Sequence, residues 1–299
     1  MSKLKVALIQ DSPVLFDLEK SINKVHDLLE EAAEEKPDLV VFPEAFLPAY
    51  PRGLSFGTTI GSRSDKGRDT WLRYWKNSLE IPSPEMDRLA DLAEHFKTHL
   101  VIGVIERVKS GSLYCTILYF SDEGKLLGKH RKLKPTAAER IIWAEGDGSD
   151  LDVHQTSIGR IGGLICWENY MPLARTWLYK QNVEIYIAPT ADHRDSWQAT
   201  MRHIATEGRC FVLGCNQFVT KEDYPILPGE DLSELPDILS KGGSVIVDPL
   251  GNVISGPLWD KGGILTAELD MDLIAKAKMD FDPVGHYARD DVFELKHKN

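Results

Sequence analysis

Short apolar runs alternate with amphipathic helical stretches along almost the whole of this 299-residue chain, and that alternation restricts the fold more than any other feature. "KVALIQ" reads as a buried strand. The segment from Asp17 to Lys36 then places Leu18, Ile22, Val25, Leu29 and Ala32 at helical spacing. "DLVVFPE" is a second apolar strand, closed by Pro43 because proline cannot donate to a ladder. In "SPEMDRLADLAEHFK", Ser83 is placed as an N-cap and Pro84 as the first helical residue. "HLVIGVIERV", "SLYCTILYFS" and "KLLGKHRKL" follow as strands, the last two joined by a tight turn at "DEGK". The second half repeats the theme. "GRIGGLIC", "VEIYIAP", "CFVLGCNQF" and "GILTAELD" are strands, "GGSVIVDPLGNVIS" is a hairpin, and "MPLARTWLYKQ", "SWQATMRHIATEGR" and "MDLIAKAKMD" are helices. The pattern predicts a layered α/β protein. No Ser/Gly-rich linker interrupts it, so a single domain over 1–299 is expected, with a C-terminal extension from about residue 271. Residues Pro51 to Asp69 and Thr220 to Gly242 are expected to be long irregular insertions, which in compact domains often cover functional sites.

Composition excludes several classes. A formal charge of −11 argues against nucleic acid, which needs a basic footprint that the single run "GKHRKLK" does not supply. No uninterrupted apolar run reaches about 18 residues, so no membrane span is expected. "MSKLKVALIQDS" turns polar too soon for a signal peptide. The four cysteines lack C-x-x-C spacing, which favours reduced thiols and a cytoplasmic location over a disulfide framework, and no zinc-ligand set is visible.

Cys166 stands out among the four. An inert buried thiol is the default for an arbitrary cysteine. Here the apolar run Ile161 to Ile165 ends at the thiol and polar residues follow at once. Gly162 and Gly163 leave room for other backbone or a ligand. Strand carboxyl ends are where α/β sheets collect ligands, and amides of a following helix, with a nearby cation, favour a thiolate. Lowering an ordinary thiol pKa by about two units takes roughly 3 kcal/mol. Cys115, Cys210 and Cys215 sit inside apolar strand patterns and are read as structural.

Such a thiol needs a proton acceptor. None of the nine histidines has a distinguishing context. Glu44 does, standing just past the apolar run "DLVVF". In "GKHRKLKP", period-two alternation puts His130, Lys132 and Lys134 on one side and Lys129 and Arg131 on the other; alternation does not choose between Lys132 and Lys134 as an inward cation. Glu139 closes a capping box with Thr136, which by itself accounts for the residue and is compatible with a second role.

Taken together, "VVFPEAFLPAYPRG", "GKHRKLKPTAAERIIWAEGDG", "GLICWENYMPLARTWLY", "APTADHRDSWQATMRHIATEGRCFVLGCNQF" and "FDPVGHYARDDVF", in that order, resemble the nitrilase branch of the carbon–nitrogen hydrolase superfamily over nearly the whole chain. The resemblance implies a four-layer α-β-β-α sandwich and a Glu–Lys–Cys triad: Glu44 as general base, Lys132 as the cation, Cys166 as nucleophile. Glu139 matches a second glutamate near the triad. The implied activity converts an organic nitrile to the carboxylic acid and ammonia through a covalent thioimidate and then a thioester, with no metal or organic cofactor. An amidase or cyanide-degrading enzyme on the same scaffold, or a non-catalytic assembly protein, are the alternatives. Retention of all three triad candidates speaks against the last. Trp167, Trp143 and Tyr50 are the expected substrate-binding residues, and core packing is the competing role for Trp143 and Trp197. A small-molecule nitrile is the expected partner, and a homodimer or larger homo-oligomer follows from the resemblance.

Overall fold

The computed structural model describes residues 3–227 and 229–298. Two sheets dominate it. In the first, the strand order is Gly263–Asp270, Lys3–Gln10, Leu39–Val41, His99–Arg107, Leu113–Phe120 and Leu126–Arg131, with Leu79–Glu80 beside His99–Arg107. In the second, it is Phe218–Thr220, Ile238–Val247, Phe211–Asn216, Ile185–Thr190, Gly159–Gly163 and His154–Thr156, with Val253–Trp259 beside Ile238–Val247. Each sheet has a parallel centre: Lys3–Gln10, Leu39–Val41 and His99–Arg107 in one, Gly159–Gly163, Ile185–Thr190 and Phe211–Asn216 in the other.

Period-two alternation of the central strands sorts their side chains into layers. Val6, Leu8, Val41, Val101, Ile185, Ile187, Phe211 and Leu213 share one buried cluster between the two sheets. The intervening residues face outward. Ala7, Ile9, Val40, Leu100 and Ile102 pack against the helices Leu18–Ala33 and Pro84–Phe96. Tyr186, Ala188 and Val212 pack against Pro172–Lys180 and Ser196–Gly208. Buried on both faces, these strands are apolar at nearly every position. The order of layers is helix, sheet, sheet, helix, as the sequence resemblance implies.

The helix starts follow the sequence cues. Asp17 caps one helix by accepting from the Lys20 amide at 3.0 Å, and Ser83 caps another by accepting from Met86 at 3.2 Å. Two expectations need correction. The stretch Pro51–Asp69 is not wholly irregular: a hairpin pairs Thr58–Thr59 with Ser62–Arg63, and a helix, Asp65–Lys76, starts within it behind the N-cap Ser64. The stretch Thr220–Gly242 already contains the start of the long strand Ile238–Val247. Among the described residues, no helix is long and apolar enough to cross a membrane.

Candidate active site

Three chain segments deliver the site. Glu44 follows the parallel strand Leu39–Val41, and a proline and a close crossing fix where it goes. Phe42 still donates to Val101 O at 2.8 Å, then Pro43 ends the pairing. Gly103 on the neighbouring strand lets the Glu44 backbone pass, since a Cβ there would sit 2.2 Å from Pro43 O and 2.8 Å from Glu44 Cα. Cys166 follows the parallel strand Gly159–Gly163. Gly163 permits the same kind of crossing: a Cβ would lie 2.0 Å from Ile187 O. The room left by the glycine is therefore filled by backbone of the next strand. Lys132 comes one residue after the strand Leu126–Arg131, with its amide donating to Cys115 O at 2.8 Å.

Backbone conformation tightens around these residues. Cys166 has φ 49°, Ala45 beside Glu44 has φ 50°, and Ala137, two residues before Glu139, has φ 47°. Left-handed non-glycine residues cost on the order of 1–3 kcal/mol each and persist where the surroundings hold them, commonly at functional sites.

The side chains converge. Lys132 Nζ lies 2.7 Å from Glu44 Oε1 and 2.8 Å from Glu139 Oε2, with both Lys132 and Glu44 fully out of solvent. Glu44 Oε2 accepts from the Ala191 amide at 2.9 Å, and the Cys166 thiol is near enough to the carboxylate to favour its charged form. The Thr190 hydroxyl donates to Cys166 Sγ at 3.2 Å. Glu139 keeps its capping role, accepting from the Thr136 amide at 2.6 Å, while Tyr50 Oη donates to its other oxygen at 2.7 Å. One residue therefore closes a helix turn and joins the charged cluster.

Burial sets the electrostatics. It pushes the Glu44 carboxyl above the ordinary carboxylate range, and the Lys132 charge works against that push. Burial opposes charge on Lys132 too, yet Glu44 leads a group of anionic neighbours that hold it well above the ordinary lysine value. The Cys166 thiol is pushed up to about 12, first by burial and then by the Glu44 charge, with Lys132 and the Thr190 hydroxyl pulling the other way. This differs from the lowered value expected at a strand exit. Here the low dielectric outweighs the cation.

Cys166 opens onto a cleft of about 280 Å³ whose walls include Tyr50, Arg52, Glu139, Trp167 and Arg194. Trp167 is 40% exposed at its rim. Its indole donates to Asp192 Oδ2 at 2.8 Å and the Arg194 guanidinium lies 4.8 Å from its ring centre. Trp143 is placed behind this wall: it is 3% exposed, edge-on to Tyr50 at 5.7 Å and 5.8 Å from Lys132 Nζ. Trp197 is buried under Tyr170 at 5.9 Å. Lys134 turns to the surface and pairs with Glu145. Two wider grooves, of about 760 and 790 Å³, contain no member of the cluster. Among the described residues no group of His, Cys, Asp and Glu is arranged to hold a metal ion.

Cys115 is a group that sequence reasoning set aside. Its sulfur lies 3.6 Å from Glu44 Oε1, so it belongs to the lining of the charged cluster, although burial and Glu44 push its own thiol pKa well up. Ala191 and Thr190, which hold Glu44 and Cys166, also lie in a segment whose role only the folded chain makes visible.

A layered αββα body with an acid, a cation and a thiol brought together between its sheets points to a hydrolase class rather than a single enzyme. The chain belongs to the carbon–nitrogen hydrolase family, whose model matches residues 5–279. It is 51% identical to an aliphatic nitrilase of Sinorhizobium fredii over 99% of this chain and 96% of that protein. It is 50% identical to a bifunctional nitrilase/nitrile hydratase of Nicotiana tabacum, covering 98% and 85%. The fold matches that of Saccharomyces cerevisiae Nit3 with a TM-score of 0.75 at 23% identity, covering 95% of this chain and 96% of that one.

Proposed function

We propose that this protein is a nitrilase, hydrolysing an organic nitrile to its carboxylic acid and ammonia, with Cys166 as nucleophile, Glu44 as general base and Lys132 as the stabilising cation. The observation that carries the reading is the meeting of these three side chains, from two sheets, with Cys166 in the wall of one small cleft and Glu44 and Lys132 buried behind it. The near-full-length identity to nitrilases supports the same reaction.

The chemistry follows from the geometry. Cys166 sulfur bonds to the nitrile carbon while its proton passes to Glu44, whose raised pKa suits it to hold that proton. The nitrile nitrogen takes up a proton and the product is a thioimidate. Lys132 and the Trp167 amide at the start of the short helix Cys166–Tyr170 stabilise charge as it grows on nitrogen, and later on oxygen. A water adds to the same carbon, giving its proton to a glutamate. The C–N bond breaks, nitrogen leaves as ammonia, and a thioester remains. A second water attacks, the C–S bond breaks, sulfur regains its proton and the acid is released. The sum is one nitrile and two waters to one acid and one ammonia. Breaking C–S before C–N releases amide instead, the net hydration that the words nitrile hydratase in the tobacco relative's name describe. Glu139, held by Tyr50 and Lys132, orients the cation and serves in the water steps. Trp167 and Tyr50 contact substrate, whereas Trp143 supports Tyr50 from behind.

The same reading takes residues 1–299 as one catalytic domain with an extension from about 271, residues 1, 2, 228 and 299 lying outside the described ones. It places the protein in the cytoplasm as a homodimer or larger homo-oligomer. The test is a small panel of aliphatic, aromatic and arylaceto nitriles, scored for ammonia, acid and amide. Acid and ammonia in equal amounts, lost in Cys166→Ala, are expected. Amide as the sole product, or turnover of amides but not nitriles, overturns the assignment.

A further inference from the structure

Glu168 lies two residues past the nucleophile, is 1% exposed, and does not line the cleft. Its carboxylate nevertheless ties the site together. Oε2 accepts from the amide of Ile165, the residue before Cys166, at 2.7 Å. Oε1 accepts from the amide of Leu133, the residue after Lys132, at 2.6 Å. Both oxygens lie 3.1 Å from His130 Nε2. A single side chain therefore joins the peptide entering the nucleophile to the peptide leaving the cation, and those peptides come from different sheets.

The network extends on the lysine side. His130 Nδ1 faces Asp150 Oδ1 at 3.3 Å, and Asp150 Oδ2 accepts from the Arg131 amide at 3.1 Å. Both chain neighbours of Lys132 thus donate to buried or half-buried carboxylates of one cluster. On the cysteine side, Asn169 Nδ2 donates to Leu164 O and to Cys166 O, each at 2.8 Å. Together these contacts brace the left-handed backbone at Cys166 from two directions.

A backbone carbonyl could satisfy either amide alone. A side chain with two acceptor oxygens on one carbon can take both and so set the spacing between the two segments. The choice of a carboxylate is costly in a dry interior unless a cation sits beside it. His130 is that cation: burial alone lowers its pKa, but the Glu168 charge, with hydrogen bonds to Asp150 and Glu168, pushes it up to about 9. The groups that face it are Glu168, Asp150 and, more weakly, His154.

We infer that Glu168, with His130 as its counter-charge, is a positioning residue for the reaction: it fixes the Cys166 turn relative to the end of the Lys132 strand. It touches neither substrate nor reacting atoms. This rests on the roles assigned above to Cys166 and Lys132.

The experiment compares kcat and KM on a nitrile that the parent protein turns over. In Glu168→Gln, the carboxamide presents an N–H to one of the two amides or to His130, so one brace is lost. We expect kcat to fall about 10²-fold, the size of effect that a misplacement of about 1 Å produces, with KM within about threefold because the cleft walls are untouched. His130→Gln leaves both amide contacts but removes the counter-charge, and kcat falls about tenfold. The double variant is no worse than Glu168→Gln by more than about threefold, since the two act as a unit. Leu178→Ala, in the outer helix layer, is the control: it loses stability through a core cavity and keeps its kcat.

A folded Glu168→Gln protein with kcat within about threefold of the parent overturns the inference. So do multiplicative losses in the double variant, or an equal kcat loss in Leu178→Ala at matched thermal stability. If Glu168→Gln does not fold, His130→Gln decides: a loss confined to kcat upholds the brace, and an unchanged kcat or a loss led by KM ends it. A parent that hydrolyses no nitrile removes the reading beneath this one. An active parent matched by Glu168→Gln removes only the brace.

Discussion

His130 makes a stability prediction whose sign and size come from its surroundings. The imidazole is buried between Glu168 and Asp150, and its pKa rises from an ordinary 6.5 to about 9. A shift of about 2.5 units corresponds to about 3 kcal/mol of preference for the charged form in the folded state. The folded chain binds the proton more tightly than the unfolded chain, so this contribution is fully present below about pH 6.5 and is lost as pH rises through about 9. Urea unfolding of the parent and of His130→Gln at about pH 6, 7.5 and 9.5 isolates it. Other groups also titrate. Burial lowers the pKa of His154 and His193, so their contribution changes below the ordinary histidine value and with the opposite sign. Cys166 and Cys210, both pushed up to about 12, destabilise the fold as unfolded thiols begin to ionise at the alkaline end. Both proteins carry those groups, so they cancel to first order in the difference. The stability gap between parent and variant should shrink by about 3 kcal/mol from the acid to the alkaline end of that range. A gap that stays constant within about 1 kcal/mol, or widens with pH, means that His130 is neutral in the folded protein and that Glu168 lacks its counter-charge.

Three further outcomes follow from the cleft. Lys132→Met leaves Glu44 and Glu139 without their shared cation; stability falls by about 3–5 kcal/mol in urea unfolding, and turnover falls by about 10²–10³-fold in ammonia release. Tyr50→Phe removes the 2.7 Å hydrogen bond to Glu139; a bond to a charged acceptor is worth about 1.5–3 kcal/mol, so stability in urea unfolding falls by that amount and kcat/KM, measured on the folded protein, drops by about 10–10²-fold as Glu139 loses its anchor. Arg194→Ala takes the cation off the exposed face of Trp167; KM rises by about two- to fivefold with kcat retained, in steady-state kinetics on the same nitrile.

Much of this was legible along the chain because burial on both faces of a sheet makes a strand continuously apolar, and that is a local signal. Glu44 and Cys166 are visible for the same reason: each is the first polar or reactive group after such a run. Lys132 is different. Alternation separates Lys129 and Arg131, which face Glu106, from His130 and Lys132, which are buried. It is silent on Lys134 because the strand ends at Arg131 and the period ends with it. The helix Asp65–Lys76 escaped notice because its first half, Asp65–Thr70, buries only Gly67 and Thr70, leaving no apolar stripe to read. The partnerships of His130, Glu168 and Cys115 were invisible for a deeper reason. Their partners lie 38 and 71 residues away in the chain, and no periodicity encodes which buried polar group meets which.

On the proposed roles of Cys166 and Glu44, the electrostatics of the cluster make proton transfer and attack a single event. Burial raises the Cys166 thiol and the Glu44 carboxyl together, because both ionise to anions in the same dry pocket. Lys132, 2.7 Å from Glu44, stabilises whichever of the two carries the charge. What governs the reaction is therefore the gap between the two acids, not either value alone. That gap favours the thiol form until a nitrile carbon begins to take the sulfur electrons, at which point the sulfur charge disperses and the carboxylate becomes the better place for the proton. A resting thiol also protects the nucleophile from oxidation, which acts on thiolates. On that reading, the burial that raises the Cys166 thiol also disfavours its oxidation before substrate binds.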